Sequence, residues 1–309
     1  MSGDAPPARR SAPRFSVVMN SYNGAAFIEA AIASVLAQSH GDFEFIVYDD
    51  RSTDGCVALA EAFGDPRMRV CVSPDHVPVG EARNRAIALA RGEWIAFIDQ
   101  DDLWTPIKLE RQAALIDADR SGRLGIVYGA TRRFGAGRPR PFDPWHGDGP
   151  KPEGDIFADL LDHPSFIALS SACLRTAAVR ALGPIPDWVR LCPDYYLFVA
   201  IARDWLGRSV PDLCCHYRVH PQAMSQVGAT DIHREALAII EWAAGADHAA
   251  ILRRRRRVAH TLIATGNLRA GNVRAGLSEL FGQGSLTYFA GRPMFRFLRD
   301  YRNRMRPSP

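Results

Sequence analysis

The stretch that most constrains this chain is Trp94-Ile-Ala-Phe-Ile-Asp99-Gln-Asp101-Asp102-Leu-Trp104, an apolar run of strand length that ends in three carboxylates. A short apolar run of this kind reads as a strand buried on both faces. In a parallel α/β sheet, ligands sit just beyond the carboxyl ends of the strands, which is where such acids are useful. Two carboxylates spaced Asp-x-Asp there can hold a hard, oxygen-seeking cation such as Mg²⁺ or Mn²⁺ while it grips a diphosphate. The competing reading is a helix start, in which Asp101 or Asp102 caps the helix that Pro106 and Lys108 begin.

The chain before this stretch repeats the same theme. Phe15–Met19 reads as a buried strand that runs into the polar turn Asn20-Ser-Tyr22-Asn23-Gly24. Phe27, Ile28, Ala31, Ile32, Val35 and Leu36 follow at helical spacing. Phe43–Tyr48 is a second strand, and it too runs into acids, Asp49-Asp50-Arg51-Ser52-Thr53-Asp54. A helix from Cys56, a short strand Met68–Val72 and a helix Glu81–Arg91 lead to Trp94. The order β-α-β-α-β-α-β is that of a nucleotide-binding half-sheet of Rossmann type. Neither Gly-x-Gly-x-x-Gly nor the Walker phosphate loop follows the first strand, which argues against a dinucleotide cofactor.

Composition excludes several classes. No run reaches the 18 or so apolar residues of a membrane span, and the first ten residues lack the apolar core of a signal peptide. The six cysteines show no Cys-x-x-Cys spacing and read as free thiols of a reducing compartment, so the cytoplasm is the expected location. The net charge of +4 hides an asymmetry: from Ile251 onward 13 arginines face two acids, a balance of +11, which leaves −7 on the first 250 residues.

Five ordered segments carry a resemblance. They are Val17-Val-Met-Asn-Ser-Tyr-Asn-Gly24, Ser34–Ser39, Phe43–Gly55, Gly80-Glu-Ala-Arg-Asn84 and Ala90–Asp102, and over Phe15–Gln112 they resemble the family 2 glycosyltransferases. The resemblance implies a GT-A fold, an α/β architecture whose Rossmann-like sheet binds a nucleotide-sugar and whose second half binds the acceptor, with transfer that inverts the anomeric centre. It places Asn20 and Tyr22 in the nucleoside pocket, Asp50 on the base, Arg83 near the nucleotide, Asp99 at the ribose and Asp101 on a divalent metal, Mn or Mg. Arg51 departs from the pattern, which usually has Gly or Asn there. As alternatives, Asp50 caps the next helix, Arg83 pairs with a surface acid and Tyr22 is core.

Further on, Phe166–Leu174 reads as a strand that places Ser170 and Ser171 where the family faces its acceptor. Asp194 falls where the family carries its catalytic base, with Pro193 in place of the usual Glu; a plain N-cap is the alternative. Arg218 and His220 match a family segment and become candidates for the diphosphate or metal. Trp145 and His146, in the Gly/Pro-rich loop 135–154, are candidates for an acceptor sugar or belong to a surface loop.

The expected organisation is a disordered tail (1–13), a GT-A catalytic domain (14–226, its nucleotide-sugar half 14–105 and acceptor half 106–226) and a helical, arginine-rich region (227–309). Ile232–Ala244 and Ala249–Leu268 read as helices, and Phe281–Met305 interleaves aromatics with arginines. That mixture suits an interfacial helix on an anionic membrane, on the inner face of the plasma membrane, or equally a helical hairpin with a solvated basic face. No nucleic-acid motif accompanies the charge. The implied partners are a nucleoside-diphosphate sugar and a glycan, lipid-linked or other hydroxyl acceptor. The rival is a catalytically degenerate nucleotide-sugar-binding scaffold docked by its basic tail.

Overall fold

The structure, a computed structural model, describes residues 12–135, 140–141, 149–164, 166–223 and 229–282. Trp145, His146 and most of the aromatic–arginine segment fall outside them.

The first half is built as the strand pattern dictates. β1 (Phe15–Ser21), β2 (Phe43–Asp49), β3 (Met68–Val72) and β4 (Trp94–Phe97) are joined by α1 (Ile28–Leu36), α2 (Cys56–Glu61) and α3 (Val79–Ala88). All four strands are parallel, with Val17 opposite Phe45 on one side and Ala96 on the other. β1 therefore lies between β2 and β4, and the crevice at that reversal of strand order is where a parallel sheet offers its ligand site. Side chains alternate through the sheet: Phe15, Val17 and Met19 join one core with α1, whereas Val18, Ile95 and Phe97 join the other beneath α3.

Beyond β4 the sheet becomes mixed. β5 (Leu103–Trp104), α4 (Lys108–Ala118), β6 (Leu124–Gly135), β7 (Arg140–Pro141), α5 (Phe157–Asp162), β8 (Cys173–Arg175), α6 (Thr176–Leu182), α7 (Pro193–Ala202) and β9 (Leu206–Val219) follow. The strand order is β3-β2-β1-β4-β8-β6-β9-β5, with β7 on β6. β8 runs antiparallel to β4 and β6, and β9 runs parallel to β6 but antiparallel to β5. The long β9 thereby brings Arg218 back over the loop that follows β4.

Three expectations are corrected here. Phe166–Leu174 is not one strand: a 3-10 turn at Leu169–Ser171 precedes the short β8. The helix after Pro106 begins at Lys108 with Ile107 at its N-cap, so neither Asp101 nor Asp102 caps it; β5 intervenes. Asp50 does not cap α2, which starts after Gly55 at φ +88° with Asp54 accepting the Cys56 N–H at 3.1 Å. Arg51 shows why its position favours Gly or Asn, for its φ is +63°, in the left-handed region. Its guanidinium donates to the Pro74 carbonyl at 2.8 Å.

α7 is buried on nearly its whole circumference, as its sequence Pro-Asp-Tyr-Tyr-Leu-Phe-Val-Ala-Ile-Ala requires. α8 (Ala229–Ala243) packs on it through Ile239, Ile240 and Ala243, which share its core. α9 (Ala249–Arg269) and α10 (Val273–Gly282) complete this layer. Arg254 of α9 pairs with Asp162, and Arg256 with Glu241 at 2.7 Å, so part of the arginine run is tied to the body of the protein. All six cysteines are free. Among the described residues no helix is long and apolar enough to cross a membrane.

Candidate active site

The loop from Asp99 to Asp102 is held from behind. Asp102 is buried (1% exposed); its carboxylate accepts the Ser170 hydroxyl at 2.6 Å and the Arg218 backbone N–H at 2.8 Å. The same Ser170 hydroxyl accepts the Asp99 N–H at 3.0 Å, and the Ser170 carbonyl accepts the Trp104 indole N–H at 2.6 Å. Burial, with Asp99 and Asp101 close by, pushes the Asp102 carboxyl well above the ordinary range. Asp102 is thus an anchor, and it leaves Asp99 and Asp101 facing outward.

Arg218 acts on the same loop. Its Nε donates to the Asp101 carbonyl at 2.8 Å, and its guanidinium lies between the Phe27 and Phe134 rings, 4.9 and 4.4 Å from their centres. It is not among the residues that line the cavity, and in this structure it braces the loop. Ser171 does not line the cavity either. It is fully buried and donates to the Ala168 carbonyl at 2.8 Å, because the 3-10 turn gives Ser170, not Ser171, to the acidic loop.

A cavity of about 1070 Å³ opens in front of the loop. It is lined by Asn20, Tyr22, Asp50, Arg83, Asp99 and Asp101, and also by Asp194 and His220. At one end Tyr22, 47% exposed, stacks on His76 with ring centres 4.4 Å apart and planes at 23°. His76 Nδ1 lies 2.7 Å from the buried Asp50 carboxylate, which also accepts the Val77 N–H at 3.2 Å. Burial raises the Asp50 pKa, opposed by the Val77 and His76 contacts. His76 carries no motif, and the sequence reading missed it.

Gln100 clamps this end to the acidic loop. Its Oε1 accepts the Ser21 hydroxyl and the Tyr22 N–H, both at 2.9 Å, while its amide donates to the Tyr22 carbonyl at 3.0 Å. Gly24 makes room for it, since a Cβ there would stand 2.1 Å from Gln100 Oε1.

Charge is concentrated on the cavity floor. Arg83, 5% exposed, is an α3 residue whose guanidinium lies 3.9 Å from Asp99. The Asp99 side chain is 39% exposed and lines the cavity. Burial pushes its pKa up to about 7; Arg83 opposes this, and the Asp101 and Asp194 charges add to it. His220 Nε2 stands 2.8 Å from Asp101 Oδ2, its ring against Phe27. Asn20 Nδ2 and Arg83 Nε are buried with no hydrogen-bond partner among the described residues. Buried donors of this kind are normally satisfied, so a polar ligand is the natural complement.

Asp194 stands at the first turn of α7, after Pro193, where a missing N–H costs nothing. The N–H groups just ahead are held by Glu235 of α8, which accepts those of Arg190, Leu191 and Cys192 at 3.0, 2.7 and 2.7 Å. No described residue hydrogen-bonds to the Asp194 carboxylate, which is left to the cavity.

Known proteins resemble this chain. The family model described as Glycosyl transferase family 2 matches residues 16–176. The chain is 42% identical over 113 residues to the succinoglycan biosynthesis protein ExoO of Rhizobium meliloti (strain 1021), covering 37% of this chain and 32% of that protein. It is 38% identical over 114 residues to the UDP-Glc:alpha-D-GlcNAc-diphosphoundecaprenol beta-1,3-glucosyltransferase WfgD of Escherichia coli, covering 37% of this chain and 44% of that protein. These matches span less than half the length of either relative. Among solved structures, the mannosyltransferase PcManGT from Pyrobaculum calidifontis, in complex with GDP-Man and Mn²⁺, superposes with a TM-score of 0.63 at 20% identity over 96% of this chain and 84% of that one. That likeness establishes a GT-A fold. With more than half of its residues matched by the family model, the chain belongs to glycosyltransferase family 2.

Proposed function

We propose that the chain transfers a sugar from a nucleoside-diphosphate sugar to a hydroxyl acceptor, with inversion, in the assembly of a cell-surface glycan or glycolipid. The observation that carries this reading is the convergence of Asp99, Asp101, Asp194 and Arg83 on one cavity with two partnerless buried donors. At about 1070 Å³ the cavity sits at the top of the roughly 300–1,000 Å³ usual for a small-molecule site, which suits two substrates.

The nucleoside lies on Tyr22 and His76, where a flat base stacks, with Asp50 accepting from its ring N–H. Asp99 and Asn20 take the ribose, and Arg83 offers a charge-assisted donor to the nucleotide. Asp101 and His220 supply one carboxylate and one imidazole side by side, a donor set that fits Mn²⁺ or Mg²⁺ in an open site. Among the described residues no third protein ligand joins them, so the remaining positions would be open to substrate oxygens and water. A divalent ion held by Asp101 and His220 would supply positive charge for the nucleoside diphosphate.

Asp194 takes the proton of the acceptor hydroxyl as that oxygen attacks the anomeric carbon. Its carboxylate is suited to this because nothing within the described protein occupies it. Pro193, in place of the usual Glu, leaves the start of α7 intact, because Glu235 secures the N–H groups ahead of it. The acceptor is a glycan or lipid-linked glycan, and the protein works at the inner face of the plasma membrane, as a diphosphoundecaprenol-linked acceptor in the name of one relative suggests.

The test is calorimetric binding of UDP, GDP and dTDP, each with and without Mn²⁺. One of them binds in a metal-dependent way, and Asp101→Ala removes the metal dependence. Absence of binding by all three overturns the reading.

A further inference from the structure

The cavity is not polar throughout. Past Asp194 its wall passes to the layer of α7, α8 and α9, where Leu191, Ile232, Leu237, Ile240, Val258 and Leu262 line it. None of these side chains can hydrogen-bond. Ala236 and Ala259 line the same wall and leave space between the larger side chains. The loop across from it, Ile167-Ala168-Leu169, is apolar as well. A glycan placed there would give up water at each hydroxyl without finding partners, which is unfavourable. An apolar chain gains from the same wall.

Two basic side chains interrupt it. Arg255 and His233 also line the cavity, and they lie close enough for the Arg255 charge to act on His233. Burial and that charge lower the His233 pKa, so the imidazole stays neutral and the positive charge is that of Arg255. A phosphate beside an otherwise apolar channel matches this combination.

Resting on the transferase reading above, we infer that the α7–α8–α9 compartment holds the apolar chain of an amphiphilic acceptor: a hydroxyl-bearing sugar carried through phosphate on an alkyl or isoprenyl chain. The hydroxyl reaches Asp194 at the mouth of the compartment, the phosphate lies by Arg255, and the chain runs along the wall that α8 and α9 present. All of these helix residues lie outside the segment matched by the family model, residues 16–176. The compartment therefore belongs to the C-terminal layer, beyond the matched segment.

The experiment is a calorimetric series of n-alkyl phosphates from hexyl to decyl, kept below micelle formation, with inorganic phosphate as the chainless control. Affinity rises about fourfold per methylene until the compartment is full, following the usual transfer energy of a buried CH₂. Ala236→Trp fills the space and removes the dependence on chain length without changing nucleoside diphosphate binding. Affinity that is flat along the series, or a gradient that persists in folded Ala236→Trp, overturns the inference. Should that variant not fold, a diazirine-bearing decyl phosphate is crosslinked to the unaltered chain. Labels within 232–240 or 258–262 support the compartment, and labels confined to the exposed Trp188 and Trp242 refute it. Nucleotide binding is read on the same samples. Chain-dependent binding without nucleotide binding upholds the compartment while the transferase reading falls, and the reverse result sinks the compartment alone.

Discussion

Glu235 offers the sharpest test of how the C-terminal layer serves the site. It lies on α8, yet its carboxylate accepts three backbone N–H groups ahead of α7, at 3.0 Å from Arg190, 2.7 Å from Leu191 and 2.7 Å from Cys192. In Glu235→Ala, Arg190 is exposed and turns to water, whereas Cys192 is buried (7% exposed) and Leu191 is half-buried. A hydrogen bond to a charged group contributes about 1.5–3 kcal/mol, so two poorly replaced bonds make a loss of about 3 kcal/mol. Glu235→Gln keeps an acceptor and loses only the charge, for about 1 kcal/mol. Because Asp194 is two residues beyond Cys192, loosening this turn misplaces the proposed base. A misplacement near 1 Å costs about 100-fold in turnover. Donor KM should hold, since Tyr22, Asp50 and Arg83 belong to other elements. The assay is denaturant unfolding together with steady-state release of nucleoside diphosphate. Unfolding within about 0.5 kcal/mol of the unaltered chain would refute the structural half of the reasoning. A loss carried mainly by donor KM would refute the functional half.

Asp194→Asn removes the proton acceptor and should lower transfer by about 10²–10⁴-fold while calorimetry shows the nucleotide still bound; full activity would end its assignment as base. Gly24→Ala brings a Cβ to 2.1 Å from Gln100 Oε1, so Gln100 must leave Tyr22 and nucleotide affinity should fall about tenfold, by about 1.4 kcal/mol; unchanged affinity means that the clamp does not matter. Glu44 is a pH probe of the fold. Burial alone would raise its pKa, but the Ser16 hydroxyl at 2.6 Å and the Arg91 contacts at 2.7 and 2.9 Å bring it below the reference value of 4.5. A depressed carboxylate stabilises fully above its unfolded value, and this stability is lost as pH falls from about 4.5 through the folded value. Glu44→Gln should therefore destabilise at neutral pH and flatten the slope of stability below pH 4.5 in acid titrations of unfolding.

The parallel half of the sheet was legible because buried strands are continuous apolar runs and their ends are marked by abrupt polar residues. Asp49, Asp50 and Asp99–Asp102 announce themselves in this way. The sequence does not say which acid faces the ligand. Asp99, Asp101 and Asp102 look alike until Ser170, 68 residues beyond Asp102, and Arg218, 116 residues beyond it, draw Asp102 inside. Ser170 and Ser171 differ by one place, and only the 3-10 turn, which an apolar run does not reveal, decides which one meets the acidic loop. His76 lies in a polar loop after β3 and gains its role from Tyr22 and Asp50 across the crevice. Arg218 is marked by its motif in the sequence, but the two rings that hold its guanidinium, Phe27 and Phe134, come from distant segments.

The division of the cavity follows from the same geometry. The crevice between β1, β2 and β4 sets what the donor end can bind, and those strands lie within residues 16–176, apart from Phe15. The other end is set by α7, α8 and α9, which come after it. The two ends meet at the start of α7, where Pro193 stands in place of the glutamate usual in the family. Proline needs no partner for an N–H it lacks. The N–H groups before it are taken by Glu235, a residue of the acceptor-side layer. The proposed base is thus positioned by the same helix that lines the apolar compartment. A shift of α8 on acceptor binding would be felt at Asp194 within one hydrogen-bonded turn, while Tyr22, Asp50 and Arg83 would stay where β1, β2 and α3 hold them.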